Sequence, residues 1–448
     1  MSKFFKSIID IKKDEISFSL IMSAYFFLVI TTFWILKPLK KVAFVGFYKE
    51  KGFDLFSWHF GAADAELLAK VANMVVAFVA VMVFSRLAKR YVRHQLTTIF
   101  SVFFIGCFIF FSFNLENISG LTAWLFYLTG DLFSTLMVAT FFVVLNDSVD
   151  ADQAKRLYGV VGLGGVLGGA FGSITVNTFI DSDYVSNEIW MYIAIFVTVM
   201  IVVLANMASM CKCAPKRTLD EDLALEPGNA NKSDSNRVLA GAKLVFSSKY
   251  LFSVVLIVAL YEIVSTVLDY QFTRTILHYV EKSDLGSAFG TAYAYMNIVA
   301  VVVQLFLTSF IMKRFGVKTA LMVLPIAILA ISSGFIVTPV LALGILMPST
   351  DGGFAYSINQ SAKETLYVPT TRDEKYKAKA FIDMFVQRFA KVLAIGVTLT
   401  ISAVFKDFST VRWLSIGIII MIVIWIFVVQ FVGREFEYKA GNQLDNTK

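Results

Sequence analysis

Charge is scarce in this chain. Only 16% of its 448 residues are Asp, Glu, Lys or Arg, against 57% hydrophobic, whereas soluble domains carry about a quarter charged residues. That shortage excludes an ordinary water-soluble globular protein. Cysteine is rare too. Three cysteines make no disulfide framework, and Cys211 and Cys213, in a C-K-C run, have no second ligand pair to complete a zinc site. The three histidines, His59, His94 and His278, are scattered. With no metal cluster and no nucleophile–base pair, the sequence points away from an enzyme and calls for no cofactor. A cleavable leader is not expected: MSKFFKSIIDIKKDE is charged, and the apolar run behind it is too long and lacks a small-residue cleavage site. The net charge of +7 would suggest nucleic acid in a soluble chain. Here it reads as an orientation signal, and no nucleic-acid partner is expected.

Long apolar runs fill the space that charge leaves. At roughly 20 residues per crossing, twelve spans are predicted, at about 17–46, 65–87, 96–113, 120–146, 157–180, 188–210, 250–275, 288–312, 319–337, 340–366, 380–404 and 411–432. The chain thus reads as an all-α polytopic membrane protein in a lipid bilayer, expected to be a monomer. The first and tenth spans are interrupted, by Pro38 and by the run PSTDGG (348–353). Non-helical backbone at membrane depth is tolerated only where it faces protein or a wet cavity, so both are candidates for lining a pathway. Of the 40 lysines and arginines, only Lys49, Lys51, Lys282, Lys406 and Arg412 fall in loops of one side. The excess on the other side predicts an inner-membrane protein with both termini cytoplasmic. The aromatic residues are expected to be mostly lipid-facing or interfacial, with Tyr293, Tyr295 and Tyr356 as candidates to stack a base.

The two halves match each other without a gap at an offset of half the chain length. Asn73, Lys89 and Arg90 fall on Asn297, Lys313 and Arg314, and Ala154, Lys155 and Gly172 on Ala378, Lys379 and Gly396. Two six-helix pseudo-repeats follow, 1–210 and 250–448, joined by a polar cytoplasmic linker at 211–249. Two halves of like topology are the mark of a transporter whose site lies between the repeats. The run GLGGVLGGAFG (162–172) is no nucleotide loop, because no strand precedes it and no G-K-[ST] follows. Its glycines 164, 168 and 172 instead make a small-residue stripe for close helix packing.

Some charges lie inside predicted spans, where each is costly unless paired or facing water and substrate. The densest group is WILKPLKK (34–41), which places Lys37, Lys40 and Lys41 on one helical face. Such crowding of like charge requires a compensating anion. Lys70 and Arg274 are further intramembrane cations. In the eleventh span Asp383, Gln387, Arg388 and Lys391 fall at i, i+4, i+5 and i+8, nearly one stripe, so that Arg388 and Lys391 would offer a fork and a point charge to a phosphate or carboxylate. Among the acids, Asp131, Glu262, Asp269 and Asp383 lie within spans, with Glu66 and Asp147 nearer their ends. Asp131 and Asp269 are expected to pair with the lysines when substrate is absent, as gate latches or as proton carriers.

Four places then resemble the ATP/ADP translocase family of plastids and intracellular bacteria, a branch with the major facilitator type fold. LKPLKK (36–41) is similar to that family's first-span Leu-Arg-x-x-Lys-Asp element. GDLFSTLMVATFFVVLND (130–147) with QAKRLY (153–158) is similar to its fourth-span stretch and Glu-Ala-Lys-Arg-Phe-Tyr. YEIVSTVLDYQF (261–272) and YKAKAFIDMFVQRFAK (376–391) resemble its elements in spans seven and eleven. The resemblance implies a secondary transporter exchanging ATP and ADP or a similar multiply anionic metabolite by alternating access. It puts Lys40, Asp269 and Lys391 on functional positions of that family; with the other intramembrane charges, the expected substrate-binding residues are Lys37, Lys40, Lys41, Asp131, Asp269, Arg274, Arg388 and Lys391, with coupling or gating by Asp131, Asp269 and Asp383. Lys41 departs from the family pattern, which has Asp there. Val392 stands where it has Ser, and Asp131 and Asp269 are shorter than its usual Glu. The alternative is a proton-coupled carrier of another solute on the same fold.

Overall fold

A chain this apolar must satisfy its backbone polar groups within each segment, and helices dominate accordingly. The computed structural model describes residues 12, 15–88, 90–149, 151–182, 184–211, 242–370, 378–405 and 407–445. The N-terminal helices are α1 (Ile16–Lys51), α2 (Ala62–Ala88), α3 (Arg93–Asn114), α4 (Gly120–Ser148), α5 (Ala151–Phe179) and α6 (Asn187–Met210). Then follow α7 (Lys249–Tyr279), α8 (Leu285–Val302), α9 (Ser309–Val337), α10 (Leu341–Phe354), α11 (Gln360–Thr365), α12 (Lys379–Phe381), α13 (Gln387–Val404), α14 (Phe408–Val411) and α15 (Leu414–Asp445). Among the described residues ten helical runs are long and apolar enough to cross a membrane. One of these, Leu285–Val337, contains Gly316 at φ 81°, where two helices meet across a kink.

Contacts divide the chain into two units, Met1–Glu226 with Lys282–Ala294, and Pro227–Glu281 with Tyr295–Lys448. The division departs from a simple cut between sequence halves, because the start of α8 belongs to the first unit. There Asp181 accepts the Ser287 backbone N–H at 2.6 Å, Thr291 donates to Asn177 at 2.7 Å, and Lys282 lies 3.5 Å from Glu50. Gly290 permits this fit, since a Cβ there would stand 3.0 Å from the Asn177 Cα.

The expected break of the first span at Pro38 does not occur. α1 runs unbroken through it for 36 residues, because the apolar stretch VAFVGF beyond the lysines carries the helix on. It ends at Gly52, whose φ of 64° is a left-handed conformation open to glycine. A short antiparallel hairpin follows, Phe53–Leu55 against Trp58–Phe60, too brief to register as a strand pattern. In the tenth span the helix continues through PSTDGG, and the irregularity comes after it, as a π-helical turn at Ala355–Asn359. Two more π turns, Val303–Thr308 and Ile382–Val386, lie in the same unit.

The glycine stripe packs as its spacing implies. Cβ atoms built on Gly164, Gly168 and Gly172 of α5 would fall 2.2, 2.4 and 2.6 Å from the carbonyl oxygens of Ser23, Phe27 and Thr31 on α1. Some of the aromatic residues nevertheless lie inside. Phe104, Phe108, Phe126, Phe133 and Phe141 are fully buried in the first unit, where edge-to-face pairs such as Tyr25–Phe141 and Phe104–Phe133 fill its core. Water does not drive helices together inside a bilayer, so ring packing of this kind contributes directly to their association.

Candidate functional site

Two lysines of α1 lie inside the first unit: Lys40 and Lys41 are 5% and 3% exposed. Burial at that depth requires anions, and two other helices supply them. Lys40 forms an ion pair with Asp131 on α4, and the Asn73 amide on α2 donates to the other Asp131 oxygen at 3.0 Å. Gly130 makes room for the lysine stem, since a Cβ there would stand 2.7 Å from its Cδ. The Lys40 ammonium also lies 4.3 Å from the centre of the Tyr127 ring, within cation–π range.

Lys41 finds its anion on α2. Its ammonium is 3.1 Å from Glu66 Oε1, and Lys70, one turn further along α2, reaches the same oxygen at 3.4 Å. The Tyr127 hydroxyl donates to that oxygen as well, at 3.2 Å. Lys37, half-buried, sits over aromatic rings, 4.4 Å from Trp34 and 5.0 Å from Tyr293. Phe289 stands 5.3 Å from the Lys41 ammonium. Two residues on the early part of α8 thus flank lysines of the first span.

Three helices therefore converge on one polar cluster, in which Lys40 meets Asp131. Glu66 and Lys70 were not among the expected site residues, although their i, i+4 spacing inside an apolar span is a signal of pairing. Tyr293, a stacking candidate, stands beside Lys37 and is buried.

In the second unit Asp269 and Arg274 are half-buried on α7, and Arg388 and Lys391 half-buried on α13. Lys391 and Lys363 both act electrostatically on Glu262 of α7. Asp383 falls in the π turn Ile382–Val386. The Asp383 and Asp147 side chains lie outside the described ones. Sequence reading missed Asp351, buried on α10, which accepts a hydrogen bond from Ser265 of α7 at 2.5 Å. Under the repeat offset Ser265 corresponds to Lys41 and Asp351 to Tyr127. Both units thus put polar groups at the same crossing of their first and fourth helices.

Each buried cation of this cluster is tied to a carboxylate on another helix, as a charge inside a membrane span requires. The profile of the TLC ATP/ADP transporter family matches residues 115–348 and 340–436. The ADP,ATP carrier protein 1 of Rickettsia bellii is 22% identical over 349 residues, covering 71% of this chain and 69% of that protein. The chloroplastic ADP,ATP carrier protein 2 of Arabidopsis thaliana is 22% identical over 291 residues, covering 58% of this chain and 46% of its own length. Among solved structures, the nucleoside transporter NupG superposes with a TM-score of 0.59 at 13% identity, over 93% of this chain and 98% of that one. The inward-open xylose transporter XylE from E. coli gives 0.59 at 12% identity, over 93% and 95%. The fold is that of the major facilitator transporters.

Proposed function

The chain belongs to the TLC ATP/ADP transporter family, and we propose that it is a secondary transporter that exchanges nucleotides, ATP for ADP or close relatives, across a cell inner membrane. The observation that carries this reading is the ion-paired lysine cluster of α1, buried where a soluble or purely structural span would have no use for it. Lys37, Lys40 and Lys41, with Lys391, Arg388 and Arg274, are proposed to bind the phosphate chain. Asp131 and Asp269 would reclaim the lysines when the carrier is empty. Reorienting without substrate would then mean moving charges that are tied down, which favours exchange over leak. Asp383 is proposed as a further coupling acid. Counting Leu285–Val337 as two spans and the stretch 341–365 as one gives the proposed twelve, with halves 1–210 and 250–448, both termini cytoplasmic and a monomeric carrier.

Uptake of radiolabelled ATP into cells expressing the chain, competed by ADP, other nucleotides and unrelated metabolites, tests the reading. Saturable uptake that ADP competes and Lys40→Ala abolishes, at unchanged protein level in the membrane, is expected. Normal uptake by Lys40→Ala would remove Lys40 from the site. A second reading, proton-coupled transport, is favoured by buried Asp351 and its Ser265 hydrogen bond. It requires uptake to collapse with an uncoupler and to ignore internal nucleotide.

A further inference from the structure

The geometry points to Glu66 as the release switch for two cations, a positioning residue that holds Lys41 and Lys70 until a polyphosphate chain takes them. The inference rests on the nucleotide reading of the site.

Two ammonium groups converge on one atom. Lys41 and Lys70 approach the same Glu66 oxygen at 3.1 and 3.4 Å, and the Tyr127 hydroxyl shares it at 3.2 Å. The two ammonium nitrogens are therefore no further apart than the sum of those first two distances. Like charges that close repel, more strongly in a low-dielectric interior than in water. The Glu66 and Lys41 side chains are 3% and 4% exposed, so water does little to relieve that repulsion. Lys40–Asp131 is different in kind, one cation to one carboxylate with Asn73 in support. Glu66 and Lys70 lie close enough to act electrostatically on Lys40, so the two arrangements sense each other.

A phosphate chain relieves the crowding. It presents anionic oxygens at successive positions, so Lys41 and Lys70 can each take their own and move apart. A monoanion cannot do that. The ligand class is accordingly a di- or triphosphate, bound in competition with the Glu66 carboxylate. The same carboxylate drives release, by recapturing both lysines as the substrate leaves.

The test uses the purified full-length chain. Thermal stabilisation by tripolyphosphate, pyrophosphate, ATP and AMP is titrated in detergent, and ATP/ADP exchange is followed in proteoliposomes, for the wild type, Glu66→Gln and Glu66→Asp. With the internal competitor neutralised, Glu66→Gln should bind tripolyphosphate about tenfold more tightly and turn over more slowly by a similar factor, so that KM and kcat fall together. Glu66→Asp keeps the charge but loosens its contacts, and should shift both constants the same way by a smaller factor. It also carries the test if Glu66→Gln fails to accumulate in the membrane. Weaker binding, or unchanged constants, in the variants of a wild type that binds tripolyphosphate would overturn the switch alone. A wild type that no phosphate probe stabilises would overturn the switch and the nucleotide reading together.

Discussion

Lys40 and Asp131 form the ion pair on which the proposed exchange mechanism leans, and its energetics can be separated from its role in transport. Removing one partner of a buried pair leaves an uncompensated charge, at a cost of about 3–5 kcal/mol when burial is complete. Asp131 is 25% exposed, so Asp131→Asn is expected below that range, at about 2–3 kcal/mol after allowing for solvent screening. The double variant Lys40→Met, Asp131→Leu removes both charges and should recover most of that stability while transporting nothing. A double-mutant cycle of melting temperatures beside uptake checks both halves of the statement. Much of this site was legible in the sequence, because three lysines on one helical face demand an anion and Asp131 stood in a span of its own. The Glu66–Lys41 pair was not, since an acid near a span end looks like an interfacial charge until the tertiary fold brings it to a lysine on another helix. Asp351 was hidden for a related reason: PSTDGG reads as a helix breaker, and the structure uses its acid within a continuing helix.

Helices in this protein meet through features that differ from pair to pair. Between α1 and α5 it is the absence of side chains. Gly168→Val would drive a branched side chain into the Phe27 carbonyl, where backbone cannot yield cheaply. A loss of at least about 1–3 kcal/mol is expected, read as a lower melting temperature, whereas the same change at Gly162, where a Cβ meets nothing within 4 Å, should be nearly silent. Between α5 and the start of α8 the join is polar and titratable. Burial pushes the Asp181 carboxyl above the usual carboxylate range and Asp284 adds to the effect, against the pull of the Ser287 N–H. A raised folded-state pKa means that this group's contribution to stability is full below the unfolded value of about 3.9 and is lost as pH rises through the folded value. The stability of the wild type relative to Asp181→Asn should therefore decline as pH rises through the acid range and then level off. A relative stability that climbs with pH would show the sign to be wrong. Spacing alone revealed the glycine stripe, because close packing needs small residues one turn apart. The π turns left no such trace: an extra residue in a helical turn is set by what the neighbouring helix presents, and hydropathy is blind to it.

At the scale of the whole molecule, the internal repeat and the scarcity of charge were enough to indicate a two-part helical membrane transporter. The assignment of Lys282–Ala294 to the first unit was beyond their reach. A duplication predicts that each half packs with itself, yet Asp181–Ser287, Asn177–Thr291 and Lys282–Glu50 join this segment to residues of the first half. The arrangement predicts that the first half is incomplete on its own. When the chain is divided between Glu226 and Pro227 and the two pieces are co-expressed, they should copurify, and the first piece should melt at a higher temperature with its partner than alone. Gly290→Leu in the second piece, which crowds the Asn177 backbone, should weaken that association by about 1–3 kcal/mol. Gly396→Leu, where a Cβ meets nothing within 4 Å, should leave it intact. If the first piece proves equally stable with and without the second, the segment adds nothing to the unit it packs in, and the boundary between the units lies in the linker after all.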